Sequence, residues 1–278
     1  MDLLSEAVSL RGKGVRFAFV TVVGGEGSSP RHLGAKMIVC GDGRLFGTVG
    51  GGSLEAHAIE RALAAMASGR PERLSLGLGS AFGQCCGGRV ELFVEPDLPP
   101  ERLFIFGAGH VSQELSRAAS ALGFDVTVID AREEWNTPAR FPSAAERILE
   151  DGDEALEHLD FDARSVYCAV MTHRHDLDEV LVRALLGRPV RYLGLIGSRT
   201  KWAHFRQRFG ERGLPAEALA RVRCPIGLEI CAETPAEIAA SIAAELVRVR
   251  RSPLTLERSE ATVGGQVEPL GSGTREPA

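Results

Sequence analysis

Two neighbouring thiols, Cys85 and Cys86, stand between Gln84 and Gly87-Gly88 in the stretch AFGQCCGG. Adjacent cysteines suit a structural zinc site poorly, because zinc sites space their thiolates by two to four residues so that both turn toward one ion. Three readings of the pair follow: incidental thiols or a vicinal disulfide, a zinc site, and reactive thiolates that hold a soft metal or carry sulfur. The flanking glycines favour the last by exposing the sulfur. A second set of residues suits an anion. GTVGGGSLE runs Gly50, Gly51 and Gly52 into the start of a helix, whose exposed N–H groups attract phosphate or carboxylate. GGEGSSPRHLGAKM adds Arg31, a planar fork, and Lys36, a point charge, in another small-residue loop. The bland alternatives are a flexible hairpin-to-helix connection and a solvated loop.

A third set is FGAGHVS, which places Gly107-x-Gly109-x-x-Ser112 after a strand and at the start of a helix. Asp130 ends the next strand. Glycines allow the tight turn and close phosphate approach, and an acid about 20 residues on can bond a ribose hydroxyl. Ser112 replaces the third glycine, and His110 puts an imidazole where phosphates would pass. The fold is therefore read more firmly than bound NAD or NADP. THRHDLDE offers His173, His175, Asp176 and Asp178, but the metallo-hydrolase pattern H-x-H-x-D-H is not met: Leu177 stands where its Asp belongs. Cys168, inside an apolar run, reads as a buried small hydrophobe.

The elements that must position these residues change character along the chain. KMIVCGDGRLFGTV carries two apolar runs around Gly41-Asp42-Gly43, a hairpin signal. In GGGSLEAHAIERALAAMASG, Leu54, Ala58, Ile59, Ala62, Leu63 and Met66 recur at helical spacing, with Gly69 as the stop. GRVELFVEP alternates as a half-buried strand does. The first hundred residues thus read as mostly β with one helix. After the proline- and acid-rich EPDLPPE the rhythm becomes strand, glycine turn, helix, strand: RLFIF, FDVTVIDAR, SVYCAVMT and RYLGLIG. Continuous apolar runs of this kind belong to strands covered on both faces, hence a Rossmann-like, doubly wound parallel sheet. ETPAEIAASIAAELVRVRR predicts a helix capped by Thr234, with Pro235 in its first turn and Glu237 closing a capping box. The expected organisation is an α/β chain with an N-terminal mostly β domain over 1–97, the parallel-sheet domain over 101–251, and a disordered tail over 252–278.

Composition bounds the partners. The 278 residues are 44% hydrophobic and 25% charged with a net charge of -5, which gives no bulk reason to bind nucleic acid or an anionic membrane. FAFVTVV, the longest early apolar stretch, is far shorter than a membrane span and follows no signal-peptide layout. Six cysteines are too sparse for a disulfide framework, which fits a reducing compartment, and a cytoplasmic location is expected.

Taken together, GSSPRHLGAKM, GTVGGGSLEAHA, GQCCGG, FIFGAGHVSQEL, VIDAREEW, MTHRHDLDEVLVRALL, YLGLIGSRTKWAHFRQR and CPIGLEICAETPAEIAASIAAEL resemble the XdhC/CoxI family of molybdenum-enzyme maturation factors. The resemblance runs from about Leu4 to Arg251, and eight motifs in order make it specific. It implies a cytoplasmic chaperone and not an enzyme: a protein that binds the molybdenum cofactor, a molybdopterin carrying molybdenum, while a cysteine desulfurase supplies the terminal sulfido ligand. Delivery to the molybdenum-binding part of apo xanthine dehydrogenase follows. On this resemblance Cys85 and Cys86, with Gln84 beside them, hold the cofactor, its molybdenum or its incoming sulfur. A pterin phosphate then suits Gly50, Gly51, Gly52, Arg31 and Lys36, while Gly107, Gly109, His110 and Asp130 take a nucleotide or phosphate part, or nothing. Two other readings stay open: an NAD(P)-dependent oxidoreductase using the glycine motif, with His110 or His173 in acid/base work, and a scaffold that binds only proteins. A homo-oligomer fits any of the three.

Overall fold

The computed structural model describes residues 2–26, 32–78 and 88–252. Gln84, Cys85, Cys86, Arg31 and the expected tail from 253 onward lie outside the described residues.

The chain opens with a helix, α1 (Leu3–Gly12), which the sequence pattern does not anticipate. Its apolar residues do not segregate: Ala7 and Leu10 are buried, while Leu4 and Val8 are 65% and 72% exposed. A one-face pattern is therefore weak, although Asp2 caps the helix by accepting the Leu4 N–H at 3.1 Å. β1 (Phe17–Glu26), β2 (Lys36–Cys40) and β3 (Leu45–Gly47) follow, then α2 (Gly52–Ser68), β4 (Glu72–Leu78) and β5 (Gly88–Asp97). The five strands form one antiparallel sheet in the order β3-β2-β1-β5-β4. The period-2 alternation of β1 sends Ala18, Val20 and Val22 to the face covered by Leu54, Ala58 and Ala62 of α2. Phe17 packs on the opposite face with Ile38, Cys40 and the α1 residues Ala7 and Leu10. Gly69 ends α2 in the left-handed conformation, at the stop the sequence indicated.

Past Pro99-Pro100 the sheet is wholly parallel: β6 (Arg102–Phe106), β7 (Asp125–Ile129), β8 (Glu146–Ile148), β9 (Val166–Val170), β10 (Tyr192–Leu195) and β11 (Val222–Arg223). Their spatial order is β11-β10-β9-β6-β7-β8. Chain order thus reverses between β6 and β9, as in the doubly wound nucleotide-binding fold. Leu103 and Ile105 of β6 face a core shared with α3 (His110–Ala121) and α8 (Pro235–Arg251). Phe104 and Phe106 face another, with α5 (His175–Leu186) and α6 (Arg199–Glu211). Two-sided burial explains the unbroken apolar runs. The capping box on α8 is present as predicted: Thr234 Oγ1 accepts from the Glu237 N–H at 3.3 Å and Glu237 accepts from the Thr234 N–H at 2.9 Å. Short helices α4 (Gly152–Ala155) and α7 (Ala216–Ala220) complete the crossovers.

Among the described residues, buried clusters do not mix residues from the two sheets. An ion pair joins them: Arg16, just before β1, with Asp162, in the loop before β9.

Candidate functional site

The sequence-selected residues that are described fall into two groups, one on each sheet. On the antiparallel sheet, β1 leaves at Glu26, β2 enters at Lys36, β3 leaves at Gly47, β4 leaves at Leu78 and β5 enters at Gly88, all toward one end. At that end Glu26 pairs with Arg89 and Leu78 pairs with Gly88. Lys36 donates to Thr21 Oγ1 at 3.0 Å and remains exposed. Gly51 is the N-cap of α2, yet Glu55 in the helix's own first turn reaches back to it: the carboxylate accepts the Gly51 N–H at 3.2 Å and the Thr48 hydroxyl. An anion arriving at Gly50, Gly51 and Gly52 thus meets an internal competitor, which sequence spacing alone did not reveal.

The second group sits at the carboxyl edge of the parallel sheet, where β6 and β9 part and where open α/β sheets hold ligands. Gly107 takes φ +109°, and a Cβ there would run into the Met171 carbonyl and lie 2.9 Å from Thr172 Cα. Glycine is obligatory at this position because the turn must clear the end of β9. Gly109 differs: its φ is an ordinary -70°, and nothing stands within 4 Å of an added Cβ. Neither backbone nor neighbours demand a glycine at 109, and its face of the turn is open.

Asp130 is buried and fully engaged. Its Oδ2 accepts the Ala108 N–H at 2.7 Å and Arg132 Nη2 at 2.6 Å; its Oδ1 accepts the Arg132 N–H at 3.0 Å and Nε at 2.9 Å. Burial pushes this carboxyl up, but the Arg132 and Ala108 hydrogen bonds outweigh it and hold the group below its ordinary value. These four bonds take its acceptor positions. A ribose hydroxyl would have to displace Arg132 to reach it.

Three neighbours were not singled out from sequence. The guanidinium of Arg132 lies 5.0 Å and that of Arg140 4.7 Å from the centre of the Trp135 ring, and His110 meets the same ring edge-on at 5.5 Å. Arg140 Nη2 approaches the Ala108 carbonyl of the glycine turn at 3.4 Å. Its Nε is buried with no partner. Among the described residues Arg140 has no carboxylate partner. Arg132 and Trp135 belong to VIDAREEW, but nothing in their spacing shows that the chain brings Arg140 back beneath the turn.

The remaining candidates on this edge are tied into the fold. Asp178 accepts the Thr172 N–H at 3.1 Å and hydroxyl at 2.7 Å and is paired with Lys201. Asp176 pairs with Arg174. Among the described residues no three His, Cys, Asp or Glu side chains are grouped to hold a metal. Cys168 is fully buried. Cys224 is half-buried beside Gly197, and burial raises its thiol to about 11 against the opposing effect of Lys201. Among the described residues no helix is long and apolar enough to cross a membrane.

Comparison with known proteins places this geometry. Residues 103–246 match the XdhC Rossmann domain, and residues 10–77 match the XdhC and CoxI family model. The chain is 34% identical over 257 residues to the uncharacterized protein YqeB of Escherichia coli K12, covering 91% of this chain and 47% of that protein. It is 30% identical over 162 residues to a protein of Bacillus subtilis 168 described as a probable xanthine dehydrogenase subunit, covering 58% and 47%. It therefore spans about half the length of these two relatives. The molybdenum cofactor insertion chaperone PaoD of Escherichia coli K12 is 28% identical, with 87% of this chain and 85% of PaoD covered. A crystal structure described as a xanthine dehydrogenase from Bacillus halodurans shares the fold, with TM-score 0.51, 24% identity, and coverage of 95% of this chain and 98% of that one. With the Rossmann match spanning the parallel sheet and a second family match on the sheet before it, the chain belongs to the XdhC/CoxI family.

Proposed function

We propose that this protein is an accessory chaperone that binds the molybdenum cofactor and inserts it into a molybdenum enzyme of the xanthine dehydrogenase type. The observation that carries the reading is the match to PaoD, which covers most of both chains. In this reading Cys85 and Cys86, with Gln84, hold the molybdenum or its sulfur while a cysteine desulfurase supplies the sulfido ligand in the cytoplasm. The pterin phosphate lies toward Arg31, Lys36 and Gly50–Gly52; β3, which leads into the glycine run, ends at Gly47 paired with Met37 beside Lys36. The chain works as two domains, 1–97 and 101–251. A carrier must release its cargo, so its affinity falls below that of the recipient by a finite free-energy difference.

The test is transfer. Purified protein is incubated with molybdenum cofactor, re-isolated, assayed for pterin and metal, and mixed with cofactor-free xanthine dehydrogenase, beside the Cys85→Ala/Cys86→Ala variant. Binding and activation that the variant loses support the carrier; a folded wild type that binds no cofactor rejects it. The strand order around β6 and β9 favours a second reading, an NAD(P)-dependent oxidoreductase. Stoichiometric nicotinamide in the purified protein would select it.

A further inference from the structure

We infer that Pro99-Pro100 is a hinge between the two sheets and that the ion pair of Arg16 with Asp162 is its latch, which opens when salt screens it. This concerns the joint alone and stands or falls independently of cofactor carriage.

The joint is short, stiff and anchored at both ends. On one side Asp97, the last residue of β5, is paired with Phe17 of β1 and forms an ion pair with Arg11 of α1. On the other, Glu101 accepts the Tyr167 hydroxyl at 2.7 Å and pairs with Arg250, while its carbonyl accepts the Asp125 N–H at 2.9 Å. Leu98, Pro99 and Pro100 lie between these anchors. A proline fixes its own φ, and the residue before a proline is confined to extended conformations. Leu98 and Pro99 both precede a proline, so the joint admits a limited swing and not free tumbling.

Little opposes that swing. Among the described residues each buried cluster stays with one sheet, and the one ion pair between the two halves is Arg16 with Asp162. Halves of a chain that share no large apolar interface move relative to one another by default. Asp162 is the fixed side of the latch: just before β9, its carboxylate accepts the Ser165 hydroxyl at 2.7 Å and the Arg164 N–H at 3.1 Å. Arg16 is the arm. Its carbonyl is held by the Gly41 N–H at 2.9 Å, and its guanidinium reaches across to Asp162. The two side chains are 22% and 37% exposed, and a pair of that kind shifts an equilibrium by at most about fivefold and is weakened by salt. Such a latch closes the joint without locking it.

Its position gives it leverage. Arg16 precedes Phe17, the β1 residue opposite Asp97, and the Ser165 carbonyl accepts the Arg102 N–H at 2.8 Å where β6 begins. The pair therefore sits beside the pivot. From there β1 runs to Glu26, about 30 Å at the rise of a strand, so a rotation of about 20° carries that end through about 10 Å. β6 likewise starts at the joint and ends at the glycine turn. Lys36 and Gly107 thus belong to the strand ends that travel farthest.

The test is pulsed electron paramagnetic resonance on the full chain, with nitroxides on ketone-bearing residues introduced at the exposed positions Leu33 and Val180, which spares the cysteines. The labelled protein in about 50 mM salt should show one dominant distance, and in about 1 M salt a second population at least about twofold larger than at low salt. Arg16→Glu should show that second population at low salt with no further response to salt, and Arg16→Lys should restore the first. Neither change touches the backbone bond to Gly41, so both variants should keep the wild-type urea midpoint, which separates opening from unfolding. Pro99→Gly/Pro100→Gly should broaden the distribution and so place the pivot. The proposal is overturned if the distances are the same at both salt concentrations and in Arg16→Glu, or if the double glycine variant leaves them unchanged.

Discussion

Lys201 Nζ lies 2.5 Å from Asp178 Oδ2, and the Asp178 side chain has no exposed surface. The pair ties the start of α6 to the start of α5, and Lys201 also donates to the Ile196 carbonyl at 3.1 Å. Removing one partner of a buried pair leaves the other charge desolvated, so Asp178→Ala should cost about 3–5 kcal/mol. The double variant Asp178→Leu/Lys201→Met should be less costly than Asp178→Ala alone. Urea unfolding of the three proteins measures this, and a loss below about 1 kcal/mol for Asp178→Ala would remove the pair from the account of stability.

Gly107→Ala should destabilise strongly where Gly109→Ala does not. The first forces a residue with a Cβ into φ +109° and against the Met171 carbonyl, while the second meets open space. Strain of this kind costs about 1–3 kcal/mol before the clash is counted. Paired denaturant curves decide the matter; equal midpoints for both variants would contradict the turn geometry.

Much of this was legible in advance, and the exceptions have physical causes. Thr234, Pro235 and Glu237 announce a helix start because capping is a local affair of three or four residues. Gly107, Gly109 and Asp130 announce the glycine turn, since strand, turn, helix and strand follow one another along the chain. Glu55 on the Gly51 N–H, Arg132 on Asp130, and Arg140 under Ala108 were not legible. Each depends on which rotamer a long side chain adopts once the backbone is placed, and periodicity carries no record of that. Helix α1 was missed for the opposite reason: its apolar residues lie on more than one face, so no period stands out.

Acid should weaken the glycine turn. The folded Asp130 carboxyl lies below its ordinary value of 3.8, so its contribution is fully present above about pH 4 and is lost as pH falls through the lower folded value. Asp130→Asn removes that contribution at every pH. The stability gap between wild type and Asp130→Asn should therefore narrow as pH falls below about 4, and a gap independent of pH would show that the carboxylate is not held by Arg132.

Alkylation should distinguish two cysteines of the parallel-sheet half. Cys231 is exposed, whereas Cys224 is half-buried with its thiol raised to about 11. Because the thiolate is the nucleophile, iodoacetamide at pH 8 should mark Cys231 at least about tenfold faster than Cys224 in peptide maps. Equal rates would mean that Cys224 is more open than its packing beside Gly197 allows.

Among the described residues, the absence of any buried cluster shared across Pro99-Pro100 bears on inheritance. Where two halves share no core, a substitution that reshapes one sheet imposes no repacking on the other. Lineages are then free to alter the antiparallel sheet and the parallel sheet at different rates. Recombination at the Pro-Pro joint would exchange either half whole, with Arg16 and Asp162 as an ion pair to be rematched.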